Sequence, residues 1–145
     1  MHTPFQPTEQ VWATLEAMNE ASHRGQPFFF ILDFELQEGV FVLEPLQQHD
    51  GSLFFDFPTA KTPDPIGTKG KLTLTPSPEA PERYDERFDI IHRGLMRGDS
   101  FLTNLTIRTP IETEASLEDI YLSSEATYRV LLPGRFVSFS PECFV

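Results

Sequence analysis

The fold is decided by residues 82–108, ERYDERFDIIHRGLMRGDSFLTNLTIR. Apolar side chains recur in this stretch at helical spacing, at Tyr84, Phe88, Ile91 and Leu95. The spacing predicts an amphipathic helix over residues 82–97, and Gly98 follows where a left-handed residue ends such a helix. Residues 101–108 then alternate between apolar and polar side chains, which predicts a strand.

The rest of the chain is predicted to add two helices and several short strands. Helices are predicted over residues 8–24 and 116–125, where a residue suited to capping precedes apolar positions. Strands are predicted over residues 27–34, 40–43, 52–57, 71–75, 127–132 and 135–139. Because helices and strands come in blocks rather than in strict alternation, the predicted class is α+β, a mainly antiparallel sheet with flanking helices.

Prolines divide the chain into three parts. Six of the 13 prolines lie in residues 58–81, and they interrupt any long element there. We therefore predict an N-terminal helix with aromatic strands over residues 1–57, a proline-rich connector over residues 58–81, and a second folded part over residues 82–145.

Composition narrows the class of protein. The 145 residues are 39% hydrophobic and include 14 phenylalanines, which indicates a packed globular chain. The formal net charge of −11 argues against nucleic acid or an anionic membrane as a partner, because both attract basic surfaces. The longest purely apolar run, residues 28–32, is far too short to span a bilayer, and no secretory signal is visible. The expected location is the cytoplasm.

The residues alone show no catalytic constellation and no metal site. The single cysteine, Cys143, has no base marked near it, and the four histidines form no pair at ligand spacing. Asn104 is unusual because asparagine is disfavoured inside strands. Two interpretations stay open: its side chain hydrogen-bonds a neighbouring loop, or it is a polar group on the wall of a ligand cavity, with Thr106 on the same face.

Short motifs in a fixed order resemble the chorismate-utilising enzyme family. In that family a helix that begins near a tyrosine ends in Gly-Asp, a strand then carries Asn-Leu, and a later hairpin ends in Ser-Pro-Glu before an apolar pair. The matching residues here are Tyr84 with Phe88, Gly98-Asp99, Asn104-Leu105, and Ser140-Pro141-Glu142 before Phe144-Val145. The aromatic start at residues 27–34 is also similar to compact bacterial members. The resemblance implies an incomplete part of the chorismate-utilising enzyme fold.

The resemblance implies a transferase activity, the amination of chorismate to 4-amino-4-deoxychorismate for para-aminobenzoate and folate synthesis. The full-length enzyme would use Mg²⁺ and ammonia from a glutamine amidotransferase partner. Asn104, Thr106, Ser140 and Glu142 would line the substrate cavity. The family's lysine motif, magnesium-binding glutamates and glycine-rich loop lie C-terminal to Ser-Pro-Glu, beyond this sequence. We therefore expect a truncated, inactive N-terminal part that has no catalytic residues and holds no cofactor.

Two positions favour one branch of the family. Isochorismate-forming relatives carry a lysine where this chain has Leu102, and anthranilate synthases often carry valine where it has Asn104. Both differences favour the aminodeoxychorismate branch. The alternatives are part of an anthranilate synthase component I, or a non-catalytic binding module on the same scaffold. The patterns of tryptophan-binding members are absent, which argues against bound tryptophan. A chain that lacks half of a fold exposes apolar faces, so we also expect self-association.

Overall fold

A computed structural model describes residues 6–48 and 50–140. In chain order the elements are α1 (Glu9–His23), β1 (Phe28–Leu32), β2 (Gly39–Leu43), β3 (Phe54–Phe57), β4 (Ala60–Lys61), β5 (Thr75–Pro76), α2 (Pro81–Arg97), β6 (Ile111–Glu112), α3 (Leu117–Ser123), β7 (Tyr128–Leu132) and β8 (Phe136–Ser140). All paired strands are antiparallel, which confirms the predicted α+β class. None of the helices in the described residues combines the length and hydropathy needed to cross a bilayer.

These elements form two compact units. The first unit takes in the described residues up to Gly70 and from Leu117 onward, and the second is Lys71–Ser116. The predicted division of the chain into residues 1–57, 58–81 and 82–145 stays a prediction.

In the first unit, α1 packs on the hairpin of β1 and β2. The Thr8 side chain caps α1 by accepting the backbone N–H of Val11 at 3.3 Å. At the hairpin turn, the Asp33 carboxylate accepts the backbone N–H groups of Gln37 (2.7 Å) and Glu38 (2.9 Å). Helix and hairpin approach closely at Gly39, where an added Cβ would lie only 2.6 Å from Oγ1 of Thr14. Glycine is therefore required at this contact.

The same unit holds a four-stranded sheet in the order β4–β3–β7–β8. Leu53, Phe55 and Leu132 are buried in its core. Partly buried apolar side chains pack against them from the hairpin and the sheet, namely Phe29, Ile31, Val40, Val42, Phe57, Ala60, Val130 and Phe136. The predicted hairpin around Pro133-Gly134 is confirmed as β7 and β8, and Gly134 adopts a φ of 69°. The core therefore lies between the hairpin and the sheet.

In the second unit, α2 is confirmed and ends at Gly98, whose φ is 83°. The strand predicted over residues 101–108 is wrong, because this segment has no regular secondary structure. An alternating pattern becomes a strand only when a neighbour completes its backbone hydrogen bonds, and among the described residues nothing pairs with it. Of the strand predicted over residues 71–75, only Thr75 lies in a strand, the two-residue β5 that pairs with β6.

Candidate functional site

The residues proposed to line a cavity fall in different parts of the structure. Asn104 and Thr106 lie in the irregular segment of the second unit, and both are exposed. Ser140 is the last residue of β8 in the first unit, and it is half-buried. Glu142 lies outside the described residues. Asn104 is therefore not a strand-interior residue here, and the cavity role of all four residues stays a prediction.

A charged cluster spans β3 and β7 in the first unit. Asp56 and Arg129 face each other across the antiparallel pair, and their side chains form a partly buried ion pair. Lys61 on β4 adds a second contact to the Asp56 carboxylate at 3.2 Å. Arg129 also donates to the backbone carbonyls of Ser124 (2.8 Å) and Tyr121 (3.3 Å). The guanidinium therefore ties the end of α3 to the sheet.

The cluster lowers the pKa of Asp56 below its ordinary value. Burial of the carboxylate alone would raise its pKa, but hydrogen bonds from Lys61 and Arg129, together with their positive charges, outweigh that effect. The pKa of Lys61 is raised, because its ammonium group bonds the carboxylates of Asp64 and Asp56. Both charges are thus stabilised near neutral pH.

Tyr121 lies beneath this cluster with its side chain fully buried. Its ring faces the Arg129 guanidinium at 5.2 Å, a cation–π distance. Its hydroxyl is buried without a hydrogen-bond partner, and so is Nε of Arg129. Burial is the main cause that raises the pKa of Tyr121 to about 12. The neutral phenol is therefore strongly preferred in the folded chain.

We expect Tyr121→Phe to leave stability at neutral pH within about 0.5 kcal/mol of wild type, or to raise it, because the hydroxyl has no partner to lose. Folding raises the pKa of the Tyr121 phenol from its ordinary value of 10 to about 12. Its contribution to stability is therefore complete below pH 10 and is lost as pH rises through about 12. The variant should therefore lose less stability between pH 10 and 12 than wild type. Urea unfolding across this range tests the prediction, with Tyr84→Phe on exposed α2 as control. An identical alkaline profile for Tyr121→Phe and wild type would contradict it.

A cavity of about 350 Å³ opens at the edge of the same unit. Its wall is mostly aromatic and aliphatic, lined by Pro27, Phe28, Phe29, Pro45, Leu46, Phe55, Phe57 and Ala60. Glu44 and Gln47 supply its polar groups, and Nε2 of Gln47 donates to the Glu44 carboxylate at 3.4 Å. Such a wall suits a small, mostly apolar group, with Glu44 and Gln47 as the polar side chains that line the cavity.

The described residues do not fit a magnesium site. Across residues 6–48 and 50–140, no three histidine, cysteine, aspartate or glutamate side chains lie close enough together to hold a metal ion. Asp56, the most enclosed carboxylate of the charged cluster, is already neutralised by two cations. No chemical step can be assigned to Mg²⁺ on these side chains.

The chain is similar to two curated bacterial proteins. One, from Pasteurella multocida, is 33% identical over 138 residues, which are 92% of this chain and 41% of the relative. The other, from Haemophilus influenzae, is 34% identical over 136 residues, which are 88% of this chain and 40% of the relative. Both are named "Uncharacterized PabA-like protein". No protein-family model and no solved structure matches the chain.

The chain thus spans about two fifths of the length of the curated relatives it matches. The matched stretch is most of this chain, so the similarity includes both compact units and is not confined to the short motifs. Activity, substrates and partners are properties of the whole protein, and for this chain they are proposals.

Sequence reasoning missed the cluster of Asp56, Arg129 and Tyr121. Each residue had a visible signal: an aspartate inside the aromatic run of β3, an arginine inside the apolar run of β7, and a tyrosine in the short helix α3. A charge inside an apolar strand indicates a paired partner. The sequence could not identify that partner, because Asp56 and Arg129 are 73 residues apart.

Proposed function

We propose that the chain is the N-terminal part of aminodeoxychorismate synthase component I, which aminates chorismate to 4-amino-4-deoxychorismate. The observation that carries the proposal is the ordered set of motifs from Tyr84 to Glu142, within a chain that matches proteins named PabA-like over most of its length. Both lines of support point to para-aminobenzoate synthesis. The first rests on the order of residues in short motifs, and the second rests on the names of relatives found by overall similarity.

In this proposal the chain supplies scaffold rather than chemistry. The charged cluster holds α3 against the sheet, and its aspartate and arginine neutralise each other, so neither is a free acid or base. Asn104, Thr106, Ser140 and Glu142 remain the residues proposed to contact the substrate. Mg²⁺ and the groups that bind it belong to the longer protein, and ammonia comes from a glutamine amidotransferase subunit.

A second candidate function follows from the names of the two relatives. The name PabA-like refers to the glutamine amidotransferase side of para-aminobenzoate synthesis rather than to the chorismate-aminating side. In that case the protein would release ammonia from glutamine. The motifs favour the chorismate side, since they match a chorismate-utilising scaffold.

The test uses the full-length Haemophilus influenzae relative and the 145-residue chain in parallel. Each protein is given chorismate and Mg²⁺ with either an ammonium salt or glutamine, and chorismate products and released glutamate are separated by liquid chromatography. We expect the relative to form 4-amino-4-deoxychorismate and the 145-residue chain to form none. Anthranilate as product would favour the anthranilate synthase alternative. Glutamine hydrolysis without chorismate turnover would favour the second candidate, and turnover by the 145-residue chain would overturn its role as scaffold.

We also expect the 145-residue chain to self-associate. Phe101 and Leu102 are almost wholly exposed, and Tyr84 and Phe88 are about half exposed on α2. Apolar side chains exposed together promote association, because contact between copies removes them from water. Light scattering at increasing concentration should give a rising average mass, and Leu102→Ser should reduce it. A mass that stays at 16.6 kDa at high concentration would contradict this expectation.

A further inference from the structure

Helix α2 has an apolar face that neither β5 nor β6 of its own unit covers. The face consists of Tyr84, Phe88, Ile91 and Leu95, of which Ile91 and Leu95 are partly buried. Phe88 is 48% exposed, and α2 contains no buried residue over its 17 positions. Stacking of Phe88 on Tyr84 and on His92 is confined to the helix itself. Tertiary packing supplies most of the stability of a protein helix, so an amphipathic helix of this length normally has a partner.

The segment after α2 lacks a partner in a second, independent way. Residues 101–108 have the alternating sequence of a strand, yet they form none. Phe101 is fully exposed, and Leu102 is 87% exposed. A strand requires a neighbouring strand for its backbone hydrogen bonds, whereas a helix completes its own bonds. This explains why α2 is formed and the predicted strand is not.

We infer that the α2 face and residues 101–108 are covered by the part of the longer protein that lies outside these 145 residues, and that this part supplies a strand that pairs with residues 101–108. The relatives carry about three fifths of their length outside the matched stretch, which is enough chain to form such a layer. Helix α2 carries four arginines and four acidic residues, whose charges cancel, so the helix offers no net charge that would favour a strongly charged partner over an intramolecular layer. The inference rests on the proposed function only in that both treat the chain as part of a longer protein.

Hydrogen–deuterium exchange measured by mass spectrometry tests this inference. The 145-residue chain is studied at a dilution where light scattering shows monomer, and the full-length Haemophilus influenzae relative is studied under the same conditions. Peptides that cover α2 and residues 101–108 should exchange at least about ten times more slowly in the relative than in the 145-residue chain. Peptides from α1, which already packs on the hairpin in this chain, are the internal control and should change much less.

Three results would overturn the inference. Equal exchange of α2 peptides in both proteins would show that nothing beyond this chain covers the face. Slow exchange of α2 already in the monomeric 145-residue chain would show that the chain covers the face itself. Protection in the relative that disappears on dilution, together with a fall in mass, would identify a second copy as the occupant.

A substitution separates coverage of the face from general folding. Phe88→Glu in the 145-residue chain should shift its unfolding midpoint only slightly, because Phe88 is 48% exposed and its ring contacts are with Tyr84 and His92 of the same helix. The same change at the aligned position of the relative should speed exchange of its helix and of the strand after it. Unchanged exchange in that variant would contradict the inference. These readouts do not depend on chorismate turnover, so the interface and the proposed function can fail separately.

Discussion

Phe55→Ala is expected to lower the free energy of unfolding by about 3–5 kcal/mol, the largest effect we expect from a single substitution in this chain. Phe55 lies on β3 at the centre of the core, where the sheet meets the hairpin, and it is 3% exposed. Its ring stacks on Phe29 at 6.0 Å and contacts Phe57 at 5.1 Å between ring centres. Alanine would leave a cavity at the point where the hairpin meets the sheet.

Urea unfolding followed by circular dichroism measures this loss. The matched control is Ile66→Ala, because Ile66 is 100% exposed and lies in the same compact unit. It should change the free energy of unfolding by no more than about 0.5 kcal/mol. Equal losses for both variants would show that the hairpin does not pack on the sheet through Phe55.

Local elements were predictable from the sequence because their causes are local. Thr8 caps α1, Gly98 ends α2, and the turn at Pro133-Gly134 joins β7 to β8; each of these signals lies within a few residues of the structure it sets. The pairing of β3 with β7 was not predicted, since its register joins Phe55 to Val130 across about half of the chain. Hydrophobic pattern shows that a strand is buried, but not which strand lies beside it.

The candidate site also depends on long-range contacts that the sequence does not reveal. Asn104 was a candidate because asparagine is unusual inside a strand. Whether residues 101–108 form a strand depends on a neighbouring strand, and the local sequence pattern does not show whether one is present. Asp56 and Arg129 were missed, because a single charge in an apolar run indicates that a partner exists but does not identify it. The three helices were therefore predictable from local signals, whereas the partnerless segment over residues 101–108 and the contact between Asp56 and Arg129 were not.

Arg129→Met is expected to lower the free energy of unfolding by about 2–3 kcal/mol. The substitution removes the partner of a partly buried Asp56 carboxylate and leaves the carbonyls of Ser124 and Tyr121 without their donor. The loss is smaller than for a fully buried pair, because Lys61 still contacts Asp56 and the carboxylate keeps some access to water. Urea unfolding at neutral pH measures it.

The matched control is Arg135→Met, which breaks the ion pair with Glu38 at the tip of the β7–β8 turn. Both of those side chains are at least half exposed, so the loss should be no more than about 1 kcal/mol. A loss for Arg129→Met as small as that for Arg135→Met would contradict a structural role for the cluster.

Acid unfolding tests the same pair through the charge on Asp56. The folded-state pKa of Asp56 is lowered, so its contribution is present above its ordinary pKa of 3.8 and is lost as pH falls through the lower folded-state value. Wild type should therefore lose stability more steeply below about pH 4 than Asp56→Asn, which carries no charge to titrate. A double-mutant cycle with Arg129→Met then isolates the coupling, because two contacting groups give a non-additive loss whereas independent ones add. Additive losses would show that Arg129 acts only through the α3 carbonyls, and a non-additive loss would show that the ion pair itself holds β3 to β7.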